Sequence, residues 1–353
     1  MQLAPALPVR FVPVILFLTL FSGCGSVRLS PSSPANPVPD GASSVYVLQQ
    51  GNPYLANPTL SYVLQFSTVA NGAKTPVSTL SLPTAFVAYS IALDSAGQIY
   101  VGGYQGSLDT TLRIPEILVY APNPSGAPEP LFTMKPQGNG LPVSMAVDNS
   151  GQLYVANSGP SNIAVYSSGV NGPATPIQLI EGTLTQINTT LLSLAVDATG
   201  NIYATTQTNA STPSGLLLVF SPSANGNAAP SRAITNESGV FFYGVAVDSS
   251  LNVFATEESA TGKNAAIVEF AAGASGNATP IRSISGPATA MSSPGGLRRD
   301  NAGNLYTVNA LVASTSIAYS LLGFNSVASG NIQPNLQFSS AEWTSAAPEL
   351  ALR

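Results

Sequence analysis

The sequence predicts an all-β protein, a six-bladed β-propeller closed by pairing its C-terminal strand with the N-terminal blade. Three observations carry this. One phrase recurs five times beyond residue 43, with aspartates 54, 49, 51 and 52 residues apart; a second phrase, built on a turn glycine, recurs six times; and each end of the chain holds a fragment of the first phrase that the other end lacks. A fixed period near 50 residues is the mark of a repeat architecture, and four short strands per period suit a propeller blade.

Residues 1–23 read as a signal segment. Arg10 is its only charge, an apolar run covers 11–21, and Ser22 and Gly23 precede Cys24. The run is too short to span a bilayer, which takes about 20 residues, and it ends in small residues as a cleaved signal does. The segment resembles a bacterial lipobox, although Phe21 stands where an aliphatic residue is usual. That resemblance implies lipidation of Cys24, the single cysteine, and an extracytoplasmic, lipid-anchored protein. Gly25 after it fits the outer membrane or cell surface in a Gram-negative cell. Loss of Arg10 would take the net charge from −5 to −5 − 1 = −6. Residues 24–42 form a Ser/Pro-rich tether whose prolines keep it semi-extended, which is expected to hold the domain off the membrane.

The propeller is expected over 43–353, about 52 residues per unit. The first phrase reads SIALDSAGQIYVGG from Ser90, SMAVDNSGQLYVAN from Ser144, SLAVDATGNIYATT from Ser193, GVAVDSSLNVFATE from Gly244 and GLRRDNAGNLYTVN from Gly296. The second is an apolar run, a turn and Pro before another apolar run, with turn glycines Gly72, Gly126, Gly172, Gly226, Gly276 and Gly330. Near the start SVYVLQ matches the second strand of the first phrase, and ELALR at the end matches its opening strand. Runs of four to seven Val, Ile, Leu and Tyr bounded by Asp, Asn, Gly and Pro read as strands. The D-x-x-G and N-G stretches read as hairpin turns, with glycine supplying positive φ. These A-V-D-x-x-G-x-[IL]-Y phrases resemble the NHL-like and gluconolactonase-like six-bladed group over essentially the whole domain.

Composition removes several chemistries. There is no histidine, so imidazole acid–base catalysis, Ser-His-Asp and Cys-His nucleophiles and His-held zinc or haem are excluded, and one cysteine allows no internal disulfide. Charged residues make up 8% of the chain against about 25% in ordinary domains. The few Lys and Arg are scattered, which argues against nucleic acid.

Within each blade the A–B and C–D connections lie on one face and the B–C and D–A connections on the other. The first set is uniform, whereas the B–C stretch is Ser158–Asn162 in blade three and Gly103–Glu116 in blade two. Recognition is therefore expected on the variable face. Gln49, Gly103, Asn157, Thr206, Glu257 and Asn309 close strand B there, and a ring of oxygens around the channel mouth is the expected consequence. Glu257, Asn157, Asn309 and Glu349 are the candidate Ca²⁺ ligands; with so few carboxylates the preferred reading is a hydrated polar lining, with no metal or other cofactor. Asp94, Asp148, Asp197, Asp248 and Asp300 cap their own turns. Tyr46, Tyr100, Tyr154, Tyr203, Phe254 and Tyr306, one per blade, pack between blades. Tyr104, Trp343 and the run Phe241, Phe242 and Tyr243 break the repeat and are candidate pocket residues, while Arg298 and Arg299 replace Ala-Val and need a partner such as Glu349 or a bound anion.

Two functions follow from this. The first is a non-catalytic binding or scaffolding lipoprotein of the bacterial envelope, which recognises a protein, peptide or glycan through the variable face and touches the membrane only through its lipid. The alternative is a Ca²⁺-dependent, lactonase-like hydrolase with its site at the channel mouth. The resemblance implies an Asn ligand just before each inner strand; here those positions are Tyr89, Val143, Leu192, Tyr243 and Gly295, which counts against the enzyme.

Overall fold

The computed structural model describes residues 43–51, 59–69, 71–106, 113–138, 140–187, 190–208, 214–259, 264–312, 317–343 and 349–353. The expected signal segment, Cys24 and the expected tether lie outside them. The described chain forms six sheets, antiparallel except that the short strands β3 (Gly72–Ala73) and β12 (Gly172–Ala174) each add in parallel to the outer strand of the preceding blade. Blade one joins β26 (Leu350–Leu352), β1 (Ser44–Gln49), β2 (Tyr62–Ser67) and β4 (Ser78–Ser81). Blade two is β5 (Phe86–Leu93), β6 (Ile99–Gln105), β7 (Ile114–Tyr120) and β8 (Phe132–Pro136); blade three is β9 (Leu141–Val147), β10 (Leu153–Ser158), β11 (Asn162–Tyr166) and β13 (Gln178–Ile180). Blade four is β14 (Ser193–Val196), β15 (Ile202–Gln207), β16 (Ser214–Phe220) and β17 (Arg232–Ser238). Blade five is β18 (Val240–Val247), β19 (Val253–Ser259), β20 (Ala266–Phe270) and β21 (Arg282–Ser285); blade six is β22 (Ser293–Arg299), β23 (Leu305–Val312), β24 (Ile317–Phe324) and β25 (Leu336–Ser339). This is a six-bladed β-propeller, and its first blade is split between the two ends of the chain.

The split blade closes as the sequence predicts. Val45 pairs with Leu352 and Val47 with Leu350, and the Ser43 amide donates to the Arg353 carbonyl at 2.8 Å. Closure gives β1 a partner on each side, so the seam exposes no edge.

The core lies in the seams between blades. Six clusters of buried side chains each draw on two adjacent sheets. Tyr46, for example, packs from blade one against Phe86 and Ile91 of blade two, and Phe66 of blade one meets Phe338 of blade six with ring centroids 5.0 Å apart. Period-two alternation gives every strand two apolar faces for two neighbouring sheets.

The repeated aspartates hold the A–B turns. Asp148 Oδ1 accepts from the amides of Ser150 and Gln152, both at 2.9 Å, and Asp197 and Asp248 repeat the pattern in their own turns. Their second oxygens serve the strand B tyrosines: Tyr154 donates to Asp148 at 3.2 Å, Tyr203 to Asp197 at 3.0 Å and Tyr306 to Asp300 at 3.0 Å. Burial opposes ionisation of Asp197, but hydrogen bonds from Asn201 and Thr199 outweigh it and hold the carboxyl below its ordinary range. Burial and the Asp197 carboxylate together push the Tyr203 phenol up to about 12.

The turn glycines do more than close hairpins. All six have φ between 59° and 95°. Each also forms a parallel bridge to the outer strand of the preceding blade: Leu80 with Gly126, Met134 with Gly172, Ile180 with Gly226, Ile234 with Gly276, Ile284 with Gly330, and Phe338 with Gly72. The Gly226 amide donates to Leu179 O at 2.7 Å while its carbonyl accepts from the Glu181 amide at 3.0 Å. Asn71 and Asn225, just before their glycines, add side-chain acceptors for the amides of Gln337 and Leu179. Every blade is thus fastened to the next at its outer rim, and the last of these fastenings crosses the 6/1 seam.

Candidate functional site

On the variable face the inner strands share one irregularity. The A–B ladder slips between Ala88 and Ser90, between Phe242 and Val245, and between Pro294 and Leu297, and in blade three Ser144 and Pro142 face consecutive residues of β10. These are β-bulges, which re-aim a side chain. The bulged stretches include Tyr89, Val143, Tyr243 and Gly295, and each of these four is partly exposed between buried neighbours. Neighbouring hydroxyls satisfy the carbonyls freed there: Ser90 Oγ donates to Pro142 O at 2.7 Å, Thr205 Oγ1 to Tyr243 O at 2.6 Å, and Thr256 Oγ1 to Gly295 O at 2.7 Å.

Just inside the bulges, equivalent inner-strand positions carry Ser90, Ser144, Ser193, Gly244, Gly296 and Glu349. Five small residues leave room for one long side chain. Glu349 is 3% exposed and its Oε2 accepts from Arg298 Nη2 at 2.7 Å, while Ser144, from blade three, bonds the same carboxyl. Arg298 stands where the other blades have alanine. Complete burial pushes the Glu349 carboxyl above its usual range, and Arg298 and Ser144 pull against that shift. A charged pair therefore occupies the centre of the ring.

The expected oxygen ring at the channel mouth does not form. Strand B is the second strand of each blade, behind the inner one, and its last residues turn to partners inside the sheets. Asn157 Nδ2 donates to Asn162 Oδ1 at 2.9 Å; Asn309 Oδ1 accepts from the Ser292 and Ser293 amides and its Nδ2 donates to Ala290 O; Thr206 donates to Thr190 O. Glu257 accepts from Asn236 at 2.8 Å, and Gln49 is buried. The four candidate Ca²⁺ ligands belong to four different blades; Glu257, Asn309 and Glu349 each accept from neighbours of their own, whereas Asn157 Oδ1 is buried without a hydrogen-bond partner. Among the described residues no three carboxylate, thiol or imidazole groups gather in a set suited to a metal ion.

Two aromatic candidates are also placed differently from expectation. Tyr104 lies in β6 rather than in a loop and is 3% exposed, with Arg113 stacked 4.5 Å above its ring and Tyr89 at 5.9 Å. Strand β6 runs on through Gly102 and Gly103 because a Cβ at those positions would meet Ser90 Oγ at 2.5 Å and Val87 O at 2.2 Å. The glycines permit close strand approach and do not end the strand. Trp343 follows β25 and is 5% exposed, stacked 6.0 Å from Tyr319 in the 6/1 seam, so it is core. Phe242 is buried in the 4/5 seam, and Arg299 lies over Phe254 at 5.8 Å on the opposite side of the ring.

Next to Glu257 on β19, Glu258 is a buried carboxylate that the sequence alone did not single out. Burial pushes Glu257 upward against its bond from Asn236, with Glu237 nearby adding to the rise, and burial likewise raises Glu258 against its 2.7 Å bond from Ser293. The two glutamates are adjacent in the chain, but only the fold brings Asn236 and Ser293 to them, so no spacing rule could have found these partners.

The connections divide sharply between the faces. The A–B turns span 94–98, 148–152, 197–201, 248–252 and 300–304, one length throughout. The C–D connections are 68–77, 121–131, 167–177, 221–231, 271–281 and 325–335. On the other face the B–C connections run from 159–161 in blade three to 50–61 in blade one, and the D–A connections from Gly239 alone to 181–192. The expected 103–116 loop shortens to 106–113 because the strands on both sides extend, and 107–112 lie outside the described residues.

No protein-family model matches the chain, and no curated protein matches it. Among solved structures, a protein of unknown function from Bacteroides caccae is similar with a TM-score of 0.57 at 11% identity, over 88% of this chain and 99% of that one. A protein of unknown function from Dyadobacter fermentans gives a TM-score of 0.48 at 12% identity, over 69% of this chain and 80% of that one. The likeness to the first is one of fold alone.

Proposed function

We propose that the protein is a non-catalytic binding or scaffolding lipoprotein of the bacterial envelope, related to the NHL-like propellers, that holds a protein, peptide or glycan on its B–C/D–A face. The observation that carries this reading is the division of the connections: one face keeps its A–B turns at one length and its C–D connections within one residue of each other, while the other face varies in nearly every blade. Rigid scaffolds concentrate recognition on such loops. The Arg298–Glu349 pair fills the channel centre, which supports recognition on the loops rather than within the channel.

The test is a binding screen of the mature protein on arrays of bacterial-envelope glycans and of peptides. Replacing 107–112 and 209–213 with Gly-Ser linkers of equal length is expected to abolish the array signal at an unchanged melting temperature, whereas Asn149→Ala on the uniform face leaves it intact. Retained binding after the loop exchange would overturn the face assignment. Ca²⁺-dependent turnover of a lactone panel, lost in Glu257→Gln, would instead establish the hydrolase.

A further inference from the structure

Three of the six turn glycines at the outer rim follow an asparagine, in Asn71-Gly72, Asn171-Gly172 and Asn225-Gly226; the other three follow Ser125, Ser275 and Ser329. Each of the three asparagines is exposed, and its Oδ1 accepts from an outer-strand amide of the preceding blade. The donors are Gln337 at 2.9 Å, Thr133 at 3.3 Å and Leu179 at 2.9 Å. At Asn225-Gly226 both members of the pair are fastened to one residue. The Leu179 amide donates to Asn225 Oδ1, and the Gly226 amide donates to Leu179 O at 2.7 Å.

These are the two groups that react with each other in asparagine deamidation. The backbone nitrogen after the asparagine gives up its proton and attacks the side-chain carbonyl carbon. A Cγ–N bond forms, the Cγ–Nδ2 bond breaks, and Nδ2 leaves with the proton as ammonia. Water then opens the five-membered imide at either carbonyl, leaving aspartate or the isomer whose main chain runs through Cβ and Cγ. Glycine in the attacking position has no Cβ to hinder the approach. In the closed ring the Gly226 proton is engaged with Leu179 O and the Asn225 carbonyl is held at Leu179 N, so the rim bridge parts before the imide can form.

We propose that Asn71-Gly72, Asn171-Gly172 and Asn225-Gly226 are sites of spontaneous covalent modification, at which deamidation is held off by the rim bridges and proceeds when the corresponding seam opens. The change runs one way. Isoaspartate inserts a carbon ahead of the glycine amide, so the bridge cannot be remade in its former register and the opening leaves a covalent record. The seams fastened at Ser125, Ser275 and Ser329 carry no side-chain amide at this position and keep none. The three convertible seams also differ in what backs them. Between blades two and three and between blades three and four, the D–A connections 137–140 and 181–192 lead from the outer strand straight into the next blade. At the 6/1 seam the connection 340–349 leads into β26, which is joined to β1 by hydrogen bonds and packing. Parting β26 from β1 and Gly72 from Phe338 meets no covalent link, so Asn71 is the site expected to convert first.

The test incubates the purified full-length protein in mildly alkaline buffer, folded and in concentrated urea. Peptide mapping by mass spectrometry follows conversion at each pair, and enzymatic methyl transfer scores the isoaspartate. Where opening is fast relative to the chemistry, the rate follows the open population, so the folded protein is expected to convert at least about tenfold more slowly than the unfolded chain at all three pairs. Asn71 is expected to lead Asn171 and Asn225. Leu350→Ala thins the 6/1 core under β26 and should speed Asn71 severalfold while leaving Asn225 unchanged. Folded rates that match the unfolded ones, or Asn71 trailing the other two, would overturn the proposal. So would an Asn225 rate that rises in step with Asn71 in the variant, because global unfolding would then be the route. Urea below the unfolding transition applies the same comparison to the unaltered chain, where acceleration at Asn71 ahead of Asn225 supports the gating and equal acceleration refutes it.

Discussion

Arg298 and Glu349 stand where the other blades carry Ala and Ser or Gly, and they meet as a buried pair. Breaking such a pair costs more than removing it, because an uncompensated charge stays behind. Arg298→Ala is expected to lower unfolding free energy by about 3 kcal/mol, and Arg298→Ala with Glu349→Ser, which restores the pattern of the other blades, to recover most of that loss. Urea denaturation of the two variants measures it; a double variant as unstable as the sum of its parts would refute the pairing. Leu251 is a second departure from the repeat. Its φ is 66°, where Gly97, Gly151, Gly200 and Gly303 hold the same turn position at 80° to 89°. A left-handed conformation costs a branched side chain about 1–2 kcal/mol, part of which glycine returns through its freer unfolded chain. Leu251→Gly should therefore raise stability by about 0.5–1 kcal/mol, read as a higher melting temperature.

At the scale of single strands and turns, glycine plays two distinct parts. A Cβ at Gly226 would meet nothing within 4 Å, so Gly226→Ala suffers only from its φ of 59° and should cost about 1–2 kcal/mol. Gly103 has an ordinary φ, but a Cβ there would sit 2.2 Å from Val87 O, so Gly103→Ala must push β5 and β6 apart and should cost more. Comparing the two in urea separates dihedral from steric strain. This difference also marks how far the sequence could be read. The A–B turns were legible because Asp and Gly at fixed offsets answer a local demand of the turn, met within five residues. The strand end at Gly103 was misread because its constraint comes from a neighbouring strand, which no local pattern records. The channel ring of Asn157, Glu257 and Asn309 failed for a related reason. Period and polarity identified strand B, but the direction of its last side chains depends on the bulge in strand A.

Across the whole molecule, the ring closes twice at one seam: through β26 against β1, and through the Gly72–Phe338 bridge at the outer rim. Deleting residues 349–353 removes the first closure, opens the inner edge of blade one and strips Leu350 from the 6/1 core. The expected result is loss of the single cooperative thermal transition, followed by circular dichroism; a truncated protein that melts at the full-length temperature would show that the outer bridges alone suffice. This closure was legible because complementary fragments of one phrase stood at the two ends. The rim bridges were not, since the same glycines already had a sufficient explanation as hairpin residues.

The position of β1 has a mechanical corollary. The chain before residue 43 runs into a strand flanked on both sides, by β26 and by β2, and not into a free margin of the sheet. A pull applied at residue 43 would load those two hydrogen-bond ladders in parallel, as shear, so that many bonds must yield together instead of unzipping one by one.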